Sequence, residues 1–243
     1  MKGTPCQTCP LRSSKAFVAM TEEEVRFMES FKSGELRVEP GTTLLMEGSN
    51  APHLYTVLDG MGLRSVMLEN GRRQVINFVL PGDLVGLQAA VMDEMKHSVE
   101  AVTAMTLCVF RRDSLWSLYE KQPARAFDVT WIAAAAEHFL GEALATVGQR
   151  EAIERVAWAL LKLDARLSAL GLVENGMTPL PYRQQDLADA LGLSLVHTNK
   201  TLKKLRESDI VSWHDGLLDI HDRPRLTEIA KLMGPLYEAR PLI

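Results

Sequence analysis

The sequence predicts an α+β chain in three successive parts: an antiparallel β-roll, one long helix, and a winged helix-turn-helix. Three observations carry this. Between Glu35 and Arg112, short β-rich runs alternate with turn signals. From Ala124 to Ala145 an alanine-rich stretch runs with few breakers. From Tyr182 onward, two short amphipathic segments meet at a glycine and lead into Asp215-Gly216. The 243 residues are enough for one large domain or two small ones. The expected divisions are an N-terminal arm over 1–20, a β-roll over 21–122, a long helix over 123–149, and a winged helix-turn-helix module over 150–243.

The arm is polar and carries "CQTCP", with Cys6 and Cys9 two residues apart. Alone, that pair is ambiguous between metal ligation, redox chemistry and chance. A short helix follows, within "MTEEEVRFMESFKSG". Thr21 and Glu24 form a capping box, and Val25, Phe27, Met28 and Phe31 recur at helical spacing. In the β-rich part the turns are "EPG", "EG", "DG", "ENG" and "PGD", and the runs "LYTVL", "RQVINFVL" and "EAVTAMTLCVF" read as strands.

After Asp113 the texture is helical. "DSLWSLYEKQP" gives a short helix, and the long one follows. Its apolar residues Phe127, Trp131, Ile132, Ala135, Phe139, Leu140 and Leu144 exceed what one small partner covers. A dimer seam is the favoured reading, with Trp131, Phe139 and Leu140 in it; packing on the β domain alone is the other. Residues 150–170 form a further amphipathic helix, and "GLVENGMTPLP" reads as a loop.

The C-terminal module is the most specific. Leu187, Ala188 and Leu191 form the inner face of its first helix, Gly192 sits where the chain reverses, and Ser194 is a natural N-cap for the second. Leu202 and Leu205 give the second helix its buried stripe, and Asp215-Gly216 is a hairpin turn. These offsets make a winged helix-turn-helix. Ser194, Leu195, Val196, His197, Asn199 and Lys200 would face base edges, while Lys203, Lys204 and Arg206 would hold phosphates.

Bulk properties narrow the function. A net charge of -4 confines nucleic-acid binding to a local patch. No apolar run is long enough to span a bilayer, and the N-terminus has no signal core, so a cytoplasmic protein with reduced thiols is expected. No Ser-His-Asp, HExxH or phosphate-loop pattern occurs, and the six histidines are scattered, which argues against an enzyme. A nucleotide-regulated module without DNA binding is a further alternative, and the intact helix-turn-helix argues against it.

The order and length of these parts resemble the CRP/FNR family of bacterial transcription regulators over nearly the whole chain, and "PGDLVG" (Pro81 to Gly86) is similar to the family's β-roll turn. The resemblance implies a cyclic-nucleotide-binding-like jelly roll, a homodimer on a palindromic promoter site, and contact with RNA polymerase. It also implies a signal that shifts the long helix pair. Cyclic AMP is not expected: Leu87 stands where the family's cyclic-AMP binders have Glu, and His97, before Ser98, stands in place of the Arg that grips the cyclic phosphate. The long helix also lacks a Thr-Ser pair for the adenine.

The oxygen-sensing branch instead holds an iron-sulfur cluster on arm cysteines and one strand cysteine. By resemblance Cys6, Cys9 and Cys108 are its ligands, but the position of a further arm cysteine is Lys15. A cubane cluster usually takes four thiolates. Glu22, Glu23, His53 and His97 are the other donors considered. Four readings stay open: an iron-sulfur cluster, zinc, thiol-based redox sensing, or no bound group, with control by expression level or a small ligand. Cys108 is also an ordinary core cysteine on composition alone. Val196 and Lys200 replace the family's base-reading Glu and Arg, and Leu195 replaces a polar residue, so a different half-site is expected.

Overall fold

Residues 3–232, 234 and 236–243 are described by a computed structural model. They fall into two units. One comprises residues up to Ala136 together with Ala239–Ile243, and the other is Glu137–Glu238.

In the first unit the Thr21 capping box starts α1 (Glu22–Phe31), which turns Val25 and Met28 inward. The helix stops at Phe31, the last of the apolar residues at helical spacing. Lys32 is already extended, with φ -67° and ψ 121°, and opens strand β1 (Lys32–Val38) directly. The chain continues through β2 (Thr43–Leu45), β3 (His53–Asp59), β4 (Gly62–Met67), β5 (Arg73–Val79), β6 (Leu84–Val85), a short helix α2 (Leu87–Met92), β7 (Ser98–Ala101) and β8 (Met105–Arg111). All strand pairs are antiparallel. They form two sheets, ordered β1-β8-β3-β6 and β2-β7-β4-β5. Val57, Val79, Met95, Val99 and Leu107 fill the core between them.

The run "EAVTAMTLCVF" predicts one strand and makes two. The chain leaves β7 at Ala101 and enters β8, in the other sheet, at Met105. Gly60 makes this crossing possible, since a Cβ there would lie 2.2 Å from the Ala104 carbonyl oxygen. The Pro81-Gly82-Asp83 turn is closed by Asp83, whose carboxylate accepts from the Leu80 amide at 2.9 Å, with Gly82 at φ 82°. Helix α2 lacks a sequence signal of its own: it is short and starts from left-handed Gly86 rather than a polar cap.

Helix α3 (Leu115–Lys121) leads to α4 (Pro123–Gln149), which begins in the first unit and ends in the second. It runs about a turn past Ala145 because Gly148 is tolerated within it, and Pro123 suits its first position.

The second unit is built on α5 (Ala152–Ala169), whose Val156, Ala157, Leu160, Leu161 and Leu167 have no exposed surface. Strand β9 (Met177–Pro179), within the segment predicted as a loop, precedes α6 (Gln184–Leu191), α7 (Leu195–Glu207), the hairpin β10 (Val211–His214) and β11 (Leu217–Ile220), and α8 (Arg223–Ala230). Three residues give β9 no local pattern; its pairing with β11 makes it a strand. Buried Asp164 on α5 accepts from the Thr178 hydroxyl and pairs with Arg223, which ties β9 and α8 to the central helix.

Candidate nucleic-acid interface and thiol cluster

The α6–α7 turn follows from its residues. Gly192 adopts φ 64°, the left-handed conformation that ends α6, and the Ser194 hydroxyl accepts from the His197 amide at 3.2 Å to start α7. Ala188 is fully buried beside Leu187 and Leu191, and Leu202 and Leu205 face the same core. Arg155 on α5 donates to the Leu191 carbonyl at 3.1 Å and anchors the end of α6.

This packing leaves Ser194, Leu195, Val196, His197, Asn199, Lys200, Lys203, Lys204 and Arg206 exposed. Helical phase sorts them. Val196, Asn199, Lys200 and Lys203 lie on the face opposite buried Thr198, Thr201 and Leu205; His197 and Lys204 lie on one flank, Leu195 and Arg206 on the other. Glu207 shares the outward face and pairs with Lys203 at 3.5 Å. It is absent from the sequence-derived set, although its position one turn after Lys203 was readable. Exposed Arg183, at the N-terminus of α6, is a second residue outside that set.

On the long helix the three seam residues differ. Leu140 is exposed and Trp131 half-buried. Phe139 does not lie on the open face: its ring stacks on Trp158 of α5, with centroids 6.0 Å apart. The open face consists instead of Phe127, Thr130, Ala134, Glu137, Gly141, Leu144 and Gly148, all exposed and spaced alternately by three and four residues. A Cβ at Gly141 or Gly148 would meet nothing within 4 Å.

The cysteines come together from distant parts of the chain. Cys6 opens the first of two 3-10 turns in the arm, Cys9 is the extended residue between them, and Cys108 lies in β8 opposite Glu35 of β1 and Thr56 of β3. Glu29 on α1 accepts from the Cys6 amide, and Arg12 donates to the Cys6 carbonyl at 3.2 Å. Among these groups stands Lys32. Its ammonium donates to Glu35 at 2.8 Å and to the Thr4 carbonyl at 2.7 Å, with 6% of the side chain exposed.

Burial, reinforced by the Glu29 charge, pushes the Cys6 thiol up to about 12; Lys32 opposes this only in part. Burial likewise pushes Cys108 up to about 11 against the pull of Lys32, with Cys9 and Glu35 adding to the rise. Burial disfavours the Lys32 ammonium, yet the Glu35 hydrogen bond and the fields of Cys108, Glu35 and Cys6 hold its pKa above the ordinary value. The three thiols are thus electrostatically linked and, for Cys6 and Cys108, protonated near neutral pH. Among the described residues, no three His, Cys, Asp or Glu side chains are placed to hold a single metal ion.

The fourth-donor set of Glu22, Glu23, His53 and His97 is not what the structure brings to the thiols. Glu22 pairs with Arg26, Glu23 accepts from Gln122, and His53 lies against Tyr55, while Lys15 is exposed. Glu29, Glu35 and Lys32 are there instead, residues that adjacency in sequence to a cysteine does not reveal. His97 is 6% exposed, and its Nε2 has no hydrogen-bond partner. Burial and the Arg64 charge lower its pKa to about 4, so it is a neutral imidazole. It offers no bidentate charge to a phosphate.

Comparison with known proteins gives two domain matches: a cyclic nucleotide-binding domain at residues 35–122 and a Crp-like helix-turn-helix domain at residues 154–229. The nitrogen fixation regulation protein FixK of Bradyrhizobium diazoefficiens is 28% identical over 225 residues, 93% of each chain. The transcriptional activatory protein AadR of Rhodopseudomonas palustris is 31% identical over 183 residues, 75% of each chain. The structure of FixK2 from Bradyrhizobium japonicum superposes with a TM-score of 0.75 at 26% identity, covering 82% of this chain and 98% of that one.

Proposed function

The chain belongs to the CRP/FNR family of DNA-binding transcription regulators, and from that premise we propose that it acts as a homodimer on a palindromic promoter site and responds to oxygen or redox state through Cys6, Cys9 and Cys108. The observation that carries the DNA reading is α7 itself: a capped helix, anchored from behind, whose outward face presents Val196, Asn199, Lys200 and Lys203 to solvent. Asn199 and Lys200 offer donors and acceptors to base edges, and Val196, 64% exposed, offers an apolar contact to a thymine methyl. Lys203, Lys204, Arg206 and Arg183 supply phosphate contacts. Contact with RNA polymerase follows from the family pattern.

The dimer reading is supported by the open face of α4. Phe127, Ala134, Gly141 and Gly148 recur every seven residues, with Leu144 between the last two. A mid-helix glycine costs about 1 kcal/mol relative to alanine, and nothing among the described residues needs the space at Gly141 or Gly148. A second helix approaching closely along this seam needs it. Leu140 flanks the seam, and Phe139 serves its own subunit. Sedimentation of the wild type and Leu144→Glu tests this: a dimer turned to monomer is expected, and an unchanged dimer would place the seam elsewhere.

An iron-sulfur cluster is held chiefly by cysteine thiolates, and three half-buried cysteines lie in the first unit. Cys6, Cys9 and Cys108 would hold it, and the Glu29 carboxylate, already bonded to the Cys6 amide, is the oxygen donor at hand. Such a group would supply one-electron redox chemistry and lability to oxygen. The chain's own residues protect the site by burial and balance its charge through Lys32. Without a cluster, the same thiols form a redox pair whose reactivity is held down by their raised pKa values. Anaerobic purification with an absorption spectrum and iron and sulfide analysis separates the two; colourless, iron-free protein removes the cluster.

A further inference from the structure

Residues Ala239–Ile243 pack onto the first unit. Arg240 forms an ion pair with Asp83 at 2.7 Å and lies over the Phe17 ring, 5.2 Å from its centroid. Its backbone pairs in parallel with the arm: Arg240 N donates to Ala16 O at 3.1 Å, and Val18 N donates to Arg240 O at 3.0 Å. Buried Arg125 donates to the Leu242 carbonyl at 3.1 Å, and the Thr56 hydroxyl donates to Ile243 O at 2.5 Å. Leu242 is 4% exposed and Ile243 7%. The socket is shaped for this. Gly82 has no side chain where the Phe17 ring sits, since a Cβ there would lie 2.1 Å from the ring. Turn, arm and tail are therefore stacked in order: Gly82, Phe17, Arg240.

The socket adjoins the thiols in two independent ways. Ile243 belongs to the apolar cluster of Met28, Leu54 and Phe110, against which Cys6 and Cys108 also pack. Thr56, which holds Ile243, is the cross-strand partner of Cys108. We propose that the pentapeptide Ala239–Ile243 is an internal docking ligand of the N-terminal unit, a strap whose hold depends on the packing around Cys6 and Cys108. The chain leaves the first unit along α4 and returns to it at Ala239. Repacking at the thiols, whether by oxidation, alkylation or loading of a metal group, disturbs the Ile243 socket. Displacement of the arm removes the Phe17 wall. Either event loosens the hold on the tail. The proposal does not rest on which group the thiols take, nor on the DNA half-site.

Three measurements on the full reduced chain test it. Carboxypeptidase Y digestion followed by intact mass should remove Ile243 and Leu242 about 100-fold more slowly than from a free peptide of residues 231–243. Alkylating the thiols of the wild type with iodoacetamide should abolish that protection. Arg240→Glu, and separately a chain ending at Glu238, should make Cys108 alkylation about tenfold faster at unchanged circular dichroism. Digestion of the wild-type tail at the peptide rate would overturn the docking, with no variant needed. Protection that survives alkylation, or Cys108 reactivity indifferent to both tail variants, would overturn its link to the thiols.

Discussion

The α7 face and the thiol cluster are built by opposite means. On α7 the working side chains are exposed, contiguous in sequence, and positioned by a glycine turn, a serine cap and a buried stripe a few residues away. At the thiols they are half-buried, drawn from the arm, α1, β1 and β8, and positioned by charge: Lys32 among Cys6, Cys108, Glu35 and the Thr4 carbonyl. The first arrangement reads a solvated polyanion, so its energy lies in many small, screened contacts. The second places its energy in a few partly desolvated groups, so the loss of one charge there is felt strongly. The same difference sets how hard each region breaks.

The largest effect is expected at Lys32. Lys32→Met leaves Glu35, whose side chain is 12% exposed, buried without its cation, and breaking such a pair costs about 3–5 kcal/mol. Urea-dependent hydrogen exchange in β1 and β8 measures it; a cost below about 1 kcal/mol would mean that the pair is effectively solvated. Glu35 is held below its ordinary value: burial opposes this, but the Lys32 and Thr4 hydrogen bonds outweigh it. Its contribution is therefore present above the unfolded pKa and lost as pH falls through the folded one, so the first unit weakens in acid.

Next comes thiol reactivity. With Cys108 raised from 9.0 to about 11, its thiolate fraction near neutral pH is ~100-fold below that of an ordinary thiol, and iodoacetamide should react about as much more slowly. The sign for stability is the reverse of Glu35. A thiol with a raised folded pKa contributes fully below the ordinary 9.0, and that contribution is lost as pH rises toward about 11. Cys108→Ala should flatten this alkaline decline, whereas an equal decline in the variant would place its cause elsewhere.

On α7 the effects are smaller. Lys200→Ala should weaken DNA binding by about 1–3 kcal/mol with loss of base preference at one position of each half-site. Uniform weakening across sequences would instead make Lys200 a phosphate contact. The smallest effect is at Glu207, which puts a negative charge on the outward face beside Lys203. Glu207→Gln should tighten binding a few-fold at low salt, with the gain fading at high salt; a gain independent of salt would rule out this electrostatic origin.

The two regions were also unequally legible. Gly192, Ser194 and Asp215-Gly216 announced the winged helix because caps and turns are local, and the structure gives them the conformations their types require. The capping box at Thr21 and the long α4 were visible for the same reason. Strand β9 and helix α2 were not: one becomes a strand only by pairing with β11, and the other follows a left-handed glycine. The single strand expected over "EAVTAMTLCVF" divided because sheet membership is a tertiary property. Phe139 and Leu140 were equivalent as apolar residues in sequence, and only the position of Trp158 separates them. At the thiols the cysteines themselves could be found. Lys32, Glu29 and Glu35 could not, since their importance comes from strand register and burial rather than from spacing.

The central claim is that two copies of α7 read two half-sites related by a two-fold axis. Selection of bound duplexes from a random pool by the purified full chain, with anisotropy titration of the winner from 50 to 200 mM salt, tests it most directly. The expected result is an inverted repeat with half-site centres about 10 bp apart, bound with log K falling steeply against log salt. An asymmetric site, or binding indifferent to salt, would contradict it.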